Sequence, residues 1–305
     1  MTEVKINDGD ILSIKDDVVF ITGGASGIGL DTALLCHQIG AKVVVGDRNP
    51  LPADVVQPSL SYVPLDVTSW ESLSAAFKEV IKQHGRIDHV FANAGIGPKT
   101  NLLRDNVDEN GDLMEPDHQV LDINLKSVMN TAALACHYFK KDPRGGSIVL
   151  TASGSSFQIF PVVDYTTAKH GVLGLLRSLT PLLHPKLPIR INALAPAWTA
   201  TNMIPGDFLK SMGVRFQGSD VVARSAVLVM ADQSRHGQLI YSEEGRYFEV
   251  EEGLRAAARN LCQSDGEPLA DTLDRMKRER QAASILGEVG VENSEVVENA
   301  ATASS

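Results

Sequence analysis

The sequence predicts an α/β fold: a single domain built on a doubly wound parallel sheet of about seven strands. Three observations predict it. Apolar runs alternate with helical patterns over most of the 305 residues. A glycine-rich turn, Thr22-Gly23-Gly24-Ala25-Ser26-Gly27-Ile28-Gly29, joins the first apolar run to the first helical one. The next run then ends on an acid, Asp47, 18 residues beyond Gly29. Alternating strands and helices fold as a parallel sheet covered on both faces. A strand, a glycine turn and a helix in that order form the Rossmann site for a dinucleotide pyrophosphate.

Each element follows in turn. Val18–Thr22 is continuously apolar and reads as a buried strand; residues 27–39 read as a helix that stops at Gly40. Lys42–Gly46, Ser61–Leu65, His89–Ala92, Ser147–Thr151 and Ile189–Ala195 read as further strands, with a last one through Gln238–Tyr241. Helical patterns fill 70–84, 116–141, 164–183 and 219–231. Two connections are long for such a fold. Segment 97–118 is acidic and reads as a solvated surface insertion, whereas 199–218 is apolar and reads as a lid. The domain is expected to occupy residues 1–262. Residues 263–305 form an acidic extension, expected to be helical near Pro268 and the Asp271–Arg275 pair and then disordered.

Composition narrows the function. A formal charge of −10 argues against a nucleic-acid footprint. Cys36, Cys136 and Cys262 are widely separated and odd in number, as expected of buried thiols in a reducing compartment. The eight histidines show no ligand spacing, so no metal is expected. No apolar run reaches the roughly 20 residues that span a bilayer, and the polar first ten residues are unlike a signal peptide. A cytoplasmic protein with no membrane partner is expected.

In the glycine turn, Gly23 and Gly24 permit a sharp bend and Gly27 admits phosphate oxygens to the backbone. Gly29 allows close packing of helix on strand. The carboxylate of Asp47 is placed to accept hydrogen bonds from an adenosine ribose. A second constellation lies downstream. Tyr165 and Lys169, four apart, share one helix face. They follow a strand that ends in Thr151-Ala152-Ser153, small polar residues at the sheet rim where active sites form.

Together these motifs resemble the short-chain dehydrogenase/reductase family. The residues that carry the resemblance are Thr22–Gly29, Asp66, Asn93-Ala94-Gly95, Asn124, Ser153, Tyr165, Lys169 and Pro196 to Thr201. They occur in the family's order over about residues 15–255. The layout is similar to the family's NAD-dependent alcohol dehydrogenases, including its fungal secondary-metabolism members. The resemblance implies Tyr165 as general acid/base, with its phenol lowered by the ammonium of Lys169 and by the nicotinamide. Lys169 would also bind the nicotinamide ribose, Ser153 would hold the substrate oxygen, and Asn124 would hold a water on the route from Lys169 to solvent. Ser155 and Ser156 are nearby alternatives to Ser153, expected instead to be loop hydroxyls facing solvent.

The resemblance also implies the cofactor contacts: Gly23, Ser26, Gly27, Ile28 and Gly29 at the pyrophosphate, Asp47 and Arg48 at the ribose, and Asp66 and Val67 at the adenine. Asn93, Ala94 and Gly95 would border the adenine ribose, although a purely structural Asn93 is an equal reading. Asp66 or Thr68 could instead cap the following helix. Pro196, Trp198, Thr199 and Thr201 would line the nicotinamide, with Ala197 standing where the family has glycine. Asp47, and Ser26 where NADP-preferring relatives carry a basic residue, favour NAD; Arg48 is the competing signal for NADP. Phe157, Ile159, Phe160, Trp198, Met203, Ile204, Phe208, Leu209 and Met212 flank the site and suggest a lipophilic secondary alcohol or ketone. An NADP-dependent ketoreductase, a non-redox cyclase or dehydratase, and a cofactor-binding regulator are the alternatives. The helices at 116–141 and 164–183 are expected to pair in a homodimer or homotetramer.

Overall fold

The computed structural model describes residues 1–55 and 60–262. The expected tail at 263–305 and the side chain of Cys262 lie outside the described residues. One compact unit spans Met1–Glu252, and a second begins at Gly253.

The first unit is a Rossmann-type sheet. Its strands are β1 (Thr2–Val4), β2 (Val18–Thr22), β3 (Lys42–Asp47), β4 (Leu60–Pro64), β5 (His89–Ala92), β6 (Gly146–Thr151), β7 (Ile189–Pro196), β10 (Leu239–Glu243) and β11 (Arg246–Glu249). Two short strands, β8 (Thr199–Ala200) and β9 (Gln217–Gly218), pair with each other outside that sheet. The helices are α1 (Gly27–Ile39), α2 (Trp70–His84), α3 (Gln119–Leu121), α4 (Ser127–Phe139), α5 (Val163–Leu179), α6 (Gly206–Ser211), α7 (Ser219–Ala231) and α8 (Glu251–Cys262).

The sheet order is β1-β11-β10-β7-β6-β5-β2-β3-β4. Seven strands, β4 through β10 in that order, are parallel as expected. Two antiparallel strands, β11 and β1, extend the sheet to nine. They were not expected because β1 is three residues of polar N-terminus. The hairpin between β10 and β11 turns on Glu244 and Gly245, both with positive φ (50° and 81°), the primed geometry that matches strand twist. Strand order reverses between β2 and β5, so the C-terminal end of β2 opens a crevice there.

The parallel strands are apolar on both faces because helices cover both. On one side Val19, Ile21, Val43, Val45, Phe91, Val149 and Ile240 pack with Ala33 and Cys36 of α1 and Val222, Ala226 and Met230 of α7. Burial pushes the Cys36 thiol up to about 12, which leaves it an inert core group. On the other side Phe20 meets Phe77 of α2 edge-on at 5.0 Å, and Phe77 stacks on Tyr138 of α4 at 5.6 Å. Helix ends follow their sequence signals. Gly40 and Gly85 close α1 and α2 in the left-handed conformation, and the Ser69 side chain caps α2 by accepting from the N–H of Ser72.

The helical pattern at 116–141 is interrupted. Residues Asp122–Lys126 form a π-helical turn between α3 and α4, and Asn124 lies in it. Such turns recur at functional sites because they redirect a side chain and disturb the backbone ladder. Among the described residues no helix is long and apolar enough to cross a membrane, and no three His, Cys, Asp or Glu side chains cluster as metal ligands.

Candidate active site

The glycine turn is shaped by close approach as much as by conformation. Gly23 has φ +68°, and a Cβ there would meet the Ala94 backbone at 2.6 Å. Gly24 has no unusual φ; its missing side chain makes room for Val45, 2.8 Å from where a Cβ would stand. A Cβ on Gly29 would sit 2.2 Å from the Gly23 carbonyl oxygen and 2.6 Å from the Asn93 amide nitrogen. Gly27, φ +52°, faces Thr201, whose side chain would stand only 3.2 Å from a Cβ there. Ser26 is the exposed N-cap of α1, its side chain makes no capping bond, and no acid stands in the first turn. The helix start therefore presents unpaired N–H groups and a positive dipole end to the crevice, as an incoming pyrophosphate requires.

Asp47 ends β3 beside this turn. Its carboxylate accepts the N–H of Ala25 at 3.1 Å and that of Asn49 at 2.9 Å, which fixes it at the crevice edge. Asp66 does not cap α2, since Ser69 does. Its carboxylate instead takes the Thr68 hydroxyl at 2.7 Å and the Thr68 N–H at 3.0 Å. Those bonds, helped by the charge of Arg48, hold Asp66 below the usual carboxylate range. Val67, beside it, is buried.

Asn93 is a clamp. Its amide nitrogen donates to the carbonyls of Thr22 (3.3 Å) and Gly23 (2.9 Å), and its amide oxygen accepts from the Thr151 hydroxyl (3.1 Å). The side chain thus ties the ends of β2, β5 and β6 together, the structural one of its two readings. Ile96, three residues beyond Asn93, is gripped at both ends by the fully buried Asn124, whose oxygen accepts the Ile96 N–H and whose nitrogen donates to the Ile96 carbonyl, each at 2.8 Å. Gly95 passes close by, a Cβ there being 3.4 Å from the Asn124 oxygen.

Ser153, Tyr165 and Lys169 converge at the C-terminal ends of β6 and β7. The side chain of Ser153 lies close enough to the phenol of Tyr165 to favour its charged form. The ammonium of Lys169, almost fully buried, donates to the Thr151 carbonyl at 2.7 Å and lies 5.6 Å from the centre of the Tyr165 ring. Burial pushes the phenol above its ordinary value and the nearby Ser153 side chain pulls it back. Burial also drives Lys169 down to about 8. Desolvation thus disfavours charge on both groups. Ser155 and Ser156 do not face solvent as expected. Both are buried; Ser156 accepts the Ser153 N–H at 3.1 Å, and the Ser155 hydroxyl is buried without a partner. They build the tight turn that orients Ser153, whose oxygen in turn accepts the Ser155 N–H at 3.2 Å.

The segment after β7 forms the opposite wall. Thr199 is buried and its hydroxyl is spent on the Ala197 carbonyl (2.9 Å), so it braces the turn after Pro196. Thr201 instead stands over Gly27 and accepts the Met203 N–H at 3.2 Å. The 199–218 segment is held at its far end by Gln217, whose amide nitrogen donates to the Ser242 carbonyl (3.0 Å), the Ser242 hydroxyl (2.9 Å) and Thr199 (3.3 Å). Aromatic rings gather nearby: Trp198 meets Phe160 edge-on at 5.6 Å, and Phe157 meets Tyr241 at 5.9 Å. Of the predicted apolar set, Ile159, Trp198, Met203, Phe208 and Met212 are exposed whereas Leu209 is buried. Gln217 and Tyr241 were not foreseen, because neither belongs to a local pattern; only the fold brings them to this wall.

A pyrophosphate-ready helix start facing a Ser–Tyr–Lys cluster defines a nicotinamide-dependent oxidoreductase of alcohols and ketones. The sequence model of the short chain dehydrogenase family matches residues 17–209, and the chain belongs to the short-chain dehydrogenase/reductase family. It is 48% identical over 266 residues to the short-chain dehydrogenase/reductase ascJ of Acremonium egyptiacum, covering 85% of this chain and 88% of that one. It is 39% identical over 233 residues to prx4 of Penicillium rubens, another short-chain dehydrogenase/reductase, covering 74% and 69%. Among solved structures, levodione reductase superposes with a TM-score of 0.64 at 25% identity, covering 76% of this chain and 98% of that one.

Proposed function

We propose that the chain is an NAD(H)-dependent dehydrogenase that interconverts a secondary alcohol and a ketone on a lipophilic molecule of secondary metabolism. The observation that carries this reading is the gathering of Ser153, Tyr165 and the buried Lys169 at the end of β6, with the uncapped start of α1 following β2. The pyrophosphate would lie on Gly23, Ser26, Gly27, Ile28 and Gly29, and the adenosine against Asp47, Arg48, Asp66, Val67, Ala94 and Gly95. The nicotinamide would lie against Pro196, Trp198 and Thr201. When bound, it exchanges a hydride with the carbinol carbon. Ser153 holds the substrate oxygen, and Tyr165 passes its proton to or from that oxygen. Lys169 and Asn124 carry the relay toward solvent. Asp47 favours NAD, because a carboxylate accepts from ribose hydroxyls and repels a 2′-phosphate.

The Phe160–Trp198 and Phe157–Tyr241 pairs and the exposed Met203, Phe208 and Met212 favour an apolar, ring-containing substrate. Catalysis resides in residues 1–262, in the cytoplasm, and copies pair through α4 and α5 into a homodimer or homotetramer. Following NADH absorbance with a panel of cyclic secondary alcohols checks the reaction. Tyr165→Phe should lose activity by about 10²–10⁴-fold yet still bind NADH. An active Tyr165→Phe enzyme, or turnover confined to small charged polyols, would sink this reading.

A further inference from the structure

The loop after β5 is fastened at three successive points. Asn93 ties it to the glycine turn, Asn124 holds Ile96, and Asp164 holds Lys99 and Thr100. The third point has no counterpart in the roles assigned so far. Asp164 is 6% exposed and immediately precedes Tyr165. One of its carboxylate oxygens accepts the N–H groups of Lys99 and Thr100, each at 2.8 Å, and the other accepts the N–H of Tyr165 at 2.7 Å. Burying a carboxylate is costly unless such donors satisfy it. These three do, and they belong to two separate elements.

What Asp164 holds is the root of the 97–118 segment. The Thr100 hydroxyl donates to the Asp117 carbonyl at 2.5 Å, and the Lys99 ammonium bonds the Gln119 side chain. The segment is thereby drawn into a closed loop whose tip turns through Val107 and Leu113. On its other side the root faces the lid, since a Cβ on Gly97 would be 3.5 Å from Met203. The root of this segment is therefore wedged between the helix of Tyr165 and the lid.

We propose that Asp164 is a positioning residue: its carboxylate locks the root of the 97–118 segment to the start of α5, making that segment a fixed wall of the substrate mouth opposite Met203. The proposal rests on Tyr165 being the proton-transfer group. An asparagine at 164 has one acceptor oxygen and so cannot serve both elements; its NH₂ would face a donor.

The comparison uses the full chain and Asp164→Asn, with Asp164→Ser as a second variant that keeps a helix-start side chain without the reach. Amide hydrogen exchange at Lys99 and Thr100 should quicken by at least about tenfold in both. The glycine turn should keep its protection, and NADH affinity should stay within about twofold. The ratio of kcat/KM for borneol over 2-propanol should fall at least about fivefold, through KM. Unchanged exchange at Lys99 and Thr100 would overturn the proposal. So would quickened exchange spread to the glycine turn with weakened NADH binding, or an unchanged borneol preference. Failure of the wild-type enzyme to oxidise either alcohol counts against the dehydrogenase reading, and the exchange result still decides whether Asp164 pins the segment.

Discussion

Thr201 and Gly27 are separated by most of the domain in sequence, yet the Thr201 side chain stands 3.2 Å from the place a Gly27 Cβ would occupy. The contact brings the segment after β7 against the glycine turn, and it makes Gly27 doubly constrained. Gly27→Ala should cost about 1–2 kcal/mol from its left-handed backbone alone. It should also weaken NADH binding about tenfold by pushing Thr201 outward. Urea unfolding and NADH fluorescence titration read the two effects separately; full affinity would show that Thr201 yields freely.

Asn93→Ala removes three hydrogen bonds joining the ends of three strands. A loss of about 2–3 kcal/mol is expected, since buried partners are left unsatisfied. The glycine turn should loosen with it, so NADH affinity should fall in parallel. A variant as stable as the wild type would refute the clamp.

Lys169 gives a pH signature. Its folded-state value of about 8 lies below that of the free side chain, so between the two the unfolded chain binds more protons. Stability from this group therefore rises with pH above about 8 and is least where the buried ammonium is fully charged. The stability of the wild type relative to Lys169→Met should increase by about 1.5 kcal/mol from pH ~8 to ~9.5. Denaturant titrations at several pH values test the slope; a flat difference would mean that Lys169 titrates normally.

Asp47→Ala should raise the kcat/KM ratio for NADP over NAD by at least about tenfold, because the repelling carboxylate is gone and Arg48 remains. The Ala25 N–H also loses its acceptor, so some loss with both cofactors is expected. A wild-type enzyme that already prefers NADP would reverse the assignment.

The parallel core was legible because strands buried on both faces write continuous apolar runs, and because Gly40 marks a helix end locally. Tyr165 and Lys169 were legible because helix periodicity alone puts them on one face. What the sequence hid depends on distant partners. Asp164 reads as an ordinary acid in the first turn of a helix, and its work is done on backbone N–H groups of Lys99 and Thr100, which carry no residue signature. Ser155 and Ser156 look like solvent-facing loop hydroxyls until the turn packs inward. Charge proximity shows in a motif, but the depth of burial that raises the Tyr165 phenol does not.

The two open edges of the nine-stranded sheet remain. One ends at Pro64 of β4, a residue with no N–H to offer a visiting strand. The other is β1, three residues long, with Glu3 occupied by Arg246 at 3.2 Å. Short, charged or proline-ended margins resist strand-on-strand growth. The unexpected β10–β11 hairpin and β1 thus act as a seal against runaway strand-on-strand self-association.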